Sequence, residues 1–401
     1  MLKIIKNLST APWIDQDRAV SYLKILFVGE ILAFLYFYLE LNGFIGRGIE
    51  PGASIDFLSF YTAGHMADAG SAEQVYQPAQ LYAAEQQISA DAHVTYFGFF
   101  YPPTFLLICG LLARLPYVGA YLGWVISTGG LYLLSLRSIL RRPSLLLPAA
   151  AFPAAVVALG SGQNSFLTTA LFGGATALLD RRPALAGALF GALCYKPHFG
   201  LLIPVALIAG RQWRTFLAAT STVAALVGLS LAAYGLAPWQ GFLSITSVAQ
   251  SVFAQGNVEF EKLISPFAAI RFWGGSVPLA SGVQAATTLV AALAVALVWA
   301  QRASLASRAA VLCSATLIAV PVILDYDLLL ATVPMTWTLR EALKTGFLPW
   351  EKFGLFMIFL LAFLAWPISR TGHAQLGLLV SLILFTLVLV RARYEAARAA
   401  R

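Results

Sequence analysis

The chain has 401 residues, 59% of them hydrophobic and 11% charged, with a mean hydropathy of +0.78. Soluble globular domains carry about 25% charged residues, so the composition excludes a soluble enzyme and indicates an integral membrane protein. The formal charge of +8 needs no anionic partner to explain it, because the basic residues are grouped between apolar segments, as helix orientation requires.

Residues 1–20 contain Lys3, Lys6, Asp15, Asp17 and Arg18 but no apolar core of a signal peptide. They read as a cytoplasmic lead into an uncleaved first helix at 22–41. A polar insertion at 42–100 follows, the first extracytoplasmic loop, with Ile55-Asp56-Phe57-Leu58-Ser59-Phe60-Tyr61 inside it. Within this loop 71–89, with Glu73, Tyr76, Tyr82 and Glu85, predicts an interfacial amphipathic helix preceded or interrupted by Pro78. Further apolar segments run over 103–113, 117–136, 145–159, 165–179, 183–195, 199–209 and 215–234. A second extracytoplasmic loop is expected at 235–266. Beyond it lie apolar segments at 279–299, 309–324, 328–339, 353–366 and 376–390, then a cytoplasmic tail at 391–401.

With the N-terminus inside and 103–136 as one crossing broken near Leu115-Pro116, all the strong basic clusters fall on one side. These are Arg137/Arg141/Arg142, Arg181/Arg182, Arg211/Arg214, Arg302/Arg308, Arg340/Lys344/Lys352 and Arg391/Arg393/Arg398/Arg401. Together with Lys3, Lys6, Arg18 and Lys24 they put 20 of the 26 basic residues inside. The expected architecture is one all-α polytopic domain with about 12 crossings and both termini cytoplasmic in the inner membrane. The 103–113 segment is too short to span alone and reads as re-entrant or as a half-helix.

The same topology gathers the unusual polar residues on the opposite, exterior face. They are Asp56, the break Gly160-Ser161-Gly162-Gln163-Asn164, the break Lys196-Pro197-His198, and Asp325-Tyr326-Asp327. Ionisable groups at a membrane are costly and mark a pathway or a site. Asp56 reads either as an N-cap of the helix that follows it or as a general base for a hydroxyl, and the two are compatible. Lys196 and His198 flank a helix-breaking proline and suit a phosphate, although a snorkelling lysine would look the same. Gln163 and Asn164 offer amide hydrogen bonds to a polar substrate, or form a routine turn. Asp325 and Asp327 suit sugar hydroxyls or an ion pair with Lys196 or Arg271; a divalent metal would need further ligands that the sequence does not supply nearby, so none is expected. Tyr61 and Tyr101 are placed among the substrate-binding residues, Tyr101 within an aromatic run, 96–103, that also reads as an interfacial belt. Cys109, Cys194 and Cys313 sit in apolar runs as small core residues. No nucleotide or cofactor motif is present, so no cofactor and no nucleic-acid partner are expected.

Taken together, Asp56-Phe57-Leu58-Ser59-Phe60-Tyr61-Thr62-Ala63-Gly64, Gly70, Val75-Tyr76, Phe100-Tyr101-Pro102-Pro103, Leu115-Pro116 and Trp124 resemble the N-terminal half of glycosyltransferase family 87. Gly162-Gln163-Asn164, 186–197, Arg211-Gln212-Trp213-Arg214 and Tyr326-Asp327-Leu328 extend the resemblance over 55–330. It implies a GT-C fold with a large first extracytoplasmic loop, a polyprenyl-phosphate-linked sugar as donor, most commonly mannose, and a glycolipid or glycan acceptor. It also implies a catalytic Asp at the start of that loop, carried here by Asp56, and an inverting displacement. Lys196, His198 or Arg271 would then stabilise the departing phosphate. A transporter or flippase of a lipid-linked or polar solute is the alternative, since it would also collect polar helix breaks at a cavity.

Overall fold

The protein is described by a computed structural model covering residues 2–41, 55–255, 259–301, 303–372 and 374–399. Residues 42–54 and 256–258 of the two loops, Arg302 and Arg401 lie outside the described residues. Among the described residues the regular structure is helical, with one isolated antiparallel bridge between Leu263 and Leu324.

Proline opens many of the helices. Pro78, Pro103, Pro153, Pro183 and Pro266 each occupy a first turn, where the missing N–H removes no hydrogen bond and φ is already helical. Pro78 therefore starts the loop helix Pro78–Ser89 and does not interrupt it. Ser265, Ser276 and Ser304 cap three others, accepting the N–H of Ala268, Leu279 and Ser307 at 3.1, 3.4 and 3.1 Å, each worth about 1 kcal/mol.

Among the described residues, four helices are long and apolar enough to cross a membrane: Tyr117–Ile139, Trp213–Tyr234, Val277–Ala300 and Leu376–Arg398. Pro103–Ala113, Ser165–Leu178, Pro183–Tyr195, Pro197–Ala209 and Leu305–Ala319 are apolar but shorter. At 1.5 Å per residue they rise about 17–23 Å, less than a hydrocarbon core of about 30 Å. Because Tyr117–Ile139 is long enough by itself, the crossing does not need Pro103–Ala113. That short helix packs instead beside Phe57–Asp68, so closely that a Cβ on Gly64 would stand 2.1 Å from the Cys109 carbonyl oxygen. The second loop contains a 19-residue helix, Ala237–Gln255. Its Trp, Gln, Ser and Thr content hides it from a search for sustained hydropathy. It is tied down by Trp239 Nε1 donating to Ser230 Oγ at 3.2 Å and by Gly241 lying against the Tyr76 ring.

A second close seam joins Pro183–Ala192 to Trp213–Tyr234. Gly187 and Gly191, spaced as in the small-residue motif of membrane helix pairs, face the Thr215 and Ala219 carbonyls, and added Cβ atoms would lie 2.3 and 2.4 Å from those oxygens. Gly191→Leu is expected to destabilise the fold by about 1–3 kcal/mol through overpacking. Gly228→Leu, where an added Cβ meets nothing within 4 Å, is the control; equal melting temperatures for the two variants in detergent would count against this seam.

Polar contacts collect at two ends. At one, Arg308 grips Asp180 with two bonds of 2.8 and 2.9 Å, and Glu395 accepts from Ser304 and Ser307 at 2.7 Å each. Arg391 holds Glu351 at 2.5 Å, Lys352 reaches the Ile14 carbonyl at 3.2 Å, and the Trp350 N–H reaches that of Ser9 at 2.7 Å. These bonds join the N-terminal lead to the basic segments near 181, 308, 352 and 391, which the sequence places together on one face.

Candidate active site

The other end is built around Asp56. The helix Pro153–Ser161 stops at Gly162, whose φ of +66° lies in the left-handed region that glycine adopts without strain. A Cβ there would also collide with Phe57 Cβ at 2.6 Å. Trp124 Nε1 fixes the turn by donating to the Gly162 carbonyl at 3.0 Å. The break is thereby pressed against the start of Phe57–Asp68, and Gln163 Nε2 donates to Asp56 Oδ2 at 2.9 Å. Tyr101 OH donates to Gln163 Oε1 at 3.2 Å.

The capping reading of Asp56 is corrected at the level of its side chain. Asp56 precedes the helix, but its backbone is already αR and its carboxylate makes no capping bond. The main-chain carbonyl receives the Ser59 N–H and hydroxyl at 3.2 and 2.9 Å instead. The carboxylate is therefore free for Gln163. Burial pushes its pKa above the usual carboxylate range, while the Gln163 bond and the Lys262 charge pull in the opposite direction.

Tyr101 is held from the first loop. Tyr76 OH donates to the Tyr101 carbonyl at 3.0 Å, and the Tyr101 ring packs among Phe60, Phe99 and Phe105 with centroids 5.3, 5.4 and 4.9 Å away. Glu85, fully buried, accepts the Phe97 N–H at 3.1 Å and fixes the strand of chain leading to Tyr101. Burial raises the Glu85 carboxyl to about 8, with the Phe97 bond opposing, so this group is protonated near neutral pH.

A second cluster adjoins the first through the neighbouring residue. Lys196 Nζ donates to Asn164 Oδ1 at 3.2 Å and to Asp327 Oδ1 at 2.5 Å, and Ser165 Oγ donates to the same Asp327 oxygen at 3.3 Å. The side chains of Lys196 and Asp327 are 3% and 0% exposed. Of the readings open for the two aspartates, Asp327 thus takes the ion pair with Lys196. Removing one partner of such a buried pair costs about 3–5 kcal/mol, so Lys196 is firmly committed. Asn164 Nδ2 is buried with no hydrogen-bond partner among the described residues, although the Asn164 side chain lies close enough to the Tyr101 hydroxyl to act on it. Thr168 and Tyr195, whose hydroxyls lie 2.6 Å apart, back this cluster; Thr168 carries no motif in the sequence, and Tyr195, within the 186–197 stretch, is picked out only by packing.

The remaining expected residues divide. Tyr61 is buried and its hydroxyl is spent on the Leu115 carbonyl at 2.8 Å, pinning Phe57–Asp68 to the Leu115-Pro116 break. His198 packs against Phe199 with ring centroids 5.0 Å apart; its carbonyl accepts the Leu201 N–H at 3.3 Å, and its imidazole makes no hydrogen bond among the described residues. Arg271 donates to the Gly275 carbonyl at 2.8 Å and lies over the Phe260 ring. Asp325 accepts the Tyr326 N–H at 2.8 Å, and burial raises its carboxyl to about 6 against the opposing pull of that bond and of Lys262. Among the described residues no three His, Cys, Asp or Glu side chains converge as metal ligands.

A family model described as glycosyltransferase family 87 matches residues 99–324. The matched stretch contains Tyr101, Gln163, Asn164, Lys196, His198 and Arg271 and stops just before Asp325; Asp56 and Tyr61 precede it. No curated protein and no solved structure matches the chain.

Proposed function

The chain belongs to glycosyltransferase family 87, which makes it a membrane glycosyltransferase, and from that premise we propose how it works. The donor is a polyprenyl-phosphate sugar, most consistently mannose, and the acceptor is a hydroxyl of a glycolipid or glycan at the outer face of the cell membrane. The GT-C architecture and cytoplasmic termini belong to the same proposal. The observation that carries it is the bond from Gln163 to Asp56, which joins a half-buried carboxylate to the polar breaks at 160–164, 196–198 and 325–327.

Asp56 takes the proton of the acceptor hydroxyl. The oxygen forms a bond to the anomeric carbon from the side opposite the phosphate, and the bond from that carbon to the phosphate oxygen breaks, its electron pair leaving with polyprenyl phosphate. The anomeric configuration inverts. Burial suits Asp56 to this task because a raised pKa makes the ionised form a stronger base. Gln163 and Tyr101 orient the carboxylate, and the unpaired Asn164 Nδ2 offers a hydrogen bond to a sugar oxygen. Lys196 and Asp327 anchor two helix breaks to each other.

A pH profile tests the base. Only ionised Asp56 accepts a proton, so kcat/KM falls as pH drops through its folded-state pKa, which lies above the ordinary Asp value of about 3.9. Gln163→Leu removes a bond that favours the ionised form, so the acid limb should move to higher pH. A limb that stays fixed or moves lower would separate Gln163 from the base.

A further inference from the structure

The polar end carries several cations, and they are not equivalent. Lys196 is buried and paired with Asp327, and Arg271 is engaged with the Gly275 carbonyl and the Phe260 ring. Lys262 is 45% exposed, and its partner Glu259, three residues back, is 64% exposed. An ion pair that open to solvent contributes little and is readily exchanged for another anion.

The segment that carries Lys262 is nonetheless firmly built. Leu263 bridges to Leu324, the Ile264 N–H donates to the Ile323 carbonyl at 2.9 Å, and Ser265 Oγ donates to the Pro321 carbonyl at 2.6 Å. Gln375 Nε2 secures the Phe260 carbonyl at 2.9 Å. The bridge thus sets Leu263, the residue after Lys262, against Leu324, the residue before Asp325. The Lys262 charge bears on Asp56 as well, where it opposes the effect of burial. A half-exposed cation on a rigid segment is therefore carried one residue from a contact with the chain that leads into Asp325 and the Asp327–Lys196 pair.

We propose that Lys262 exchanges Glu259 for the phosphate of the lipid-linked donor and holds the second negative charge that this phosphate gains as the sugar leaves. This rests on the donor reading given above. Nothing in the residue pattern of 235–278 marks Lys262 out; the bridge to Leu324 does.

The test is a titration of purified full-length protein in detergent with polyprenyl phosphate and, separately, with the corresponding polyprenol. Wild type should bind the phosphate more tightly than the alcohol. K262M should narrow that preference about tenfold to a hundredfold with an unchanged melting temperature, because the side chain is half exposed. E259Q, which releases Lys262 from its partner, should tighten phosphate binding. If K262M keeps the wild-type preference, or E259Q weakens phosphate binding, Lys262 is not the phosphate ligand and the donor reading stands. If wild type shows no preference for the phosphate, the donor reading and the role of Lys262 fall together.

Discussion

Asp56→Asn is expected to lower sugar transfer about 10²–10⁴-fold, the contribution of a positioned general base, while the protein still inserts and still binds lipid-linked donor. Asn is close in shape and keeps a carbonyl oxygen to accept the Gln163 amide, so the local fold has no cause to change. The sign of the stability effect separates this from misfolding. Burial raises the folded-state pKa of Asp56, so its stability contribution is full at low pH and is lost as pH rises through that value. A neutral Asn at pH 7 should therefore leave the melting temperature equal to or above that of wild type. Near-normal turnover in Asp56→Asn would remove Asp56 from the chemistry, and a marked fall in melting temperature would make its role structural.

Lys196→Met is expected to act in the opposite way, chiefly through stability. It strands a fully buried Asp327 and should cost about 3–5 kcal/mol, read as a large drop in melting temperature. Asp327→Asn strands Lys196 instead and should also destabilise. Because an apolar pair of similar volume can replace a buried ion pair at little cost, Lys196→Met combined with Asp327→Leu should recover much of the loss. If Lys196 faced the phosphate, the single variant would keep its melting temperature and lose donor binding, an outcome that would refute the ion-pair account.

Much of this was legible in the sequence. Period-free apolar runs give a helical membrane protein, the arginine clusters predict one basic end, and contacts such as Arg308–Asp180 and Lys352 to Ile14 join those clusters. The polar breaks named from sequence at Asp56, 160–164, Lys196 and Asp327 do meet through hydrogen bonds. The reason is physical: polar groups at the edge of an apolar body are costly unless they find each other. What sequence could not resolve is which polar group each one finds. Tyr61 looked available for substrate, but its hydroxyl serves Leu115; Lys196 looked suited to a phosphate, but is neutralised by a residue 131 positions away. Segment bounds are legible as well: the runs at 165–179, 183–195 and 199–209 form the helices Ser165–Leu178, Pro183–Tyr195 and Pro197–Ala209, each shorter than a hydrocarbon core. The Ala237–Gln255 helix was missed because its polar composition resembles a loop.

The central claim is that this chain transfers a sugar covalently from a polyprenyl phosphate. The direct measurement is incubation of the purified protein with polyprenyl-phosphate-mannose and, in parallel, polyprenyl-phosphate-arabinose, each with candidate lipid acceptors, followed by mass spectrometry. The predicted result is an acceptor heavier by one sugar residue, with polyprenyl phosphate released and no such product from Asp56→Asn. Movement of a lipid-linked solute across reconstituted vesicles with no covalent product would contradict it and identify a transporter.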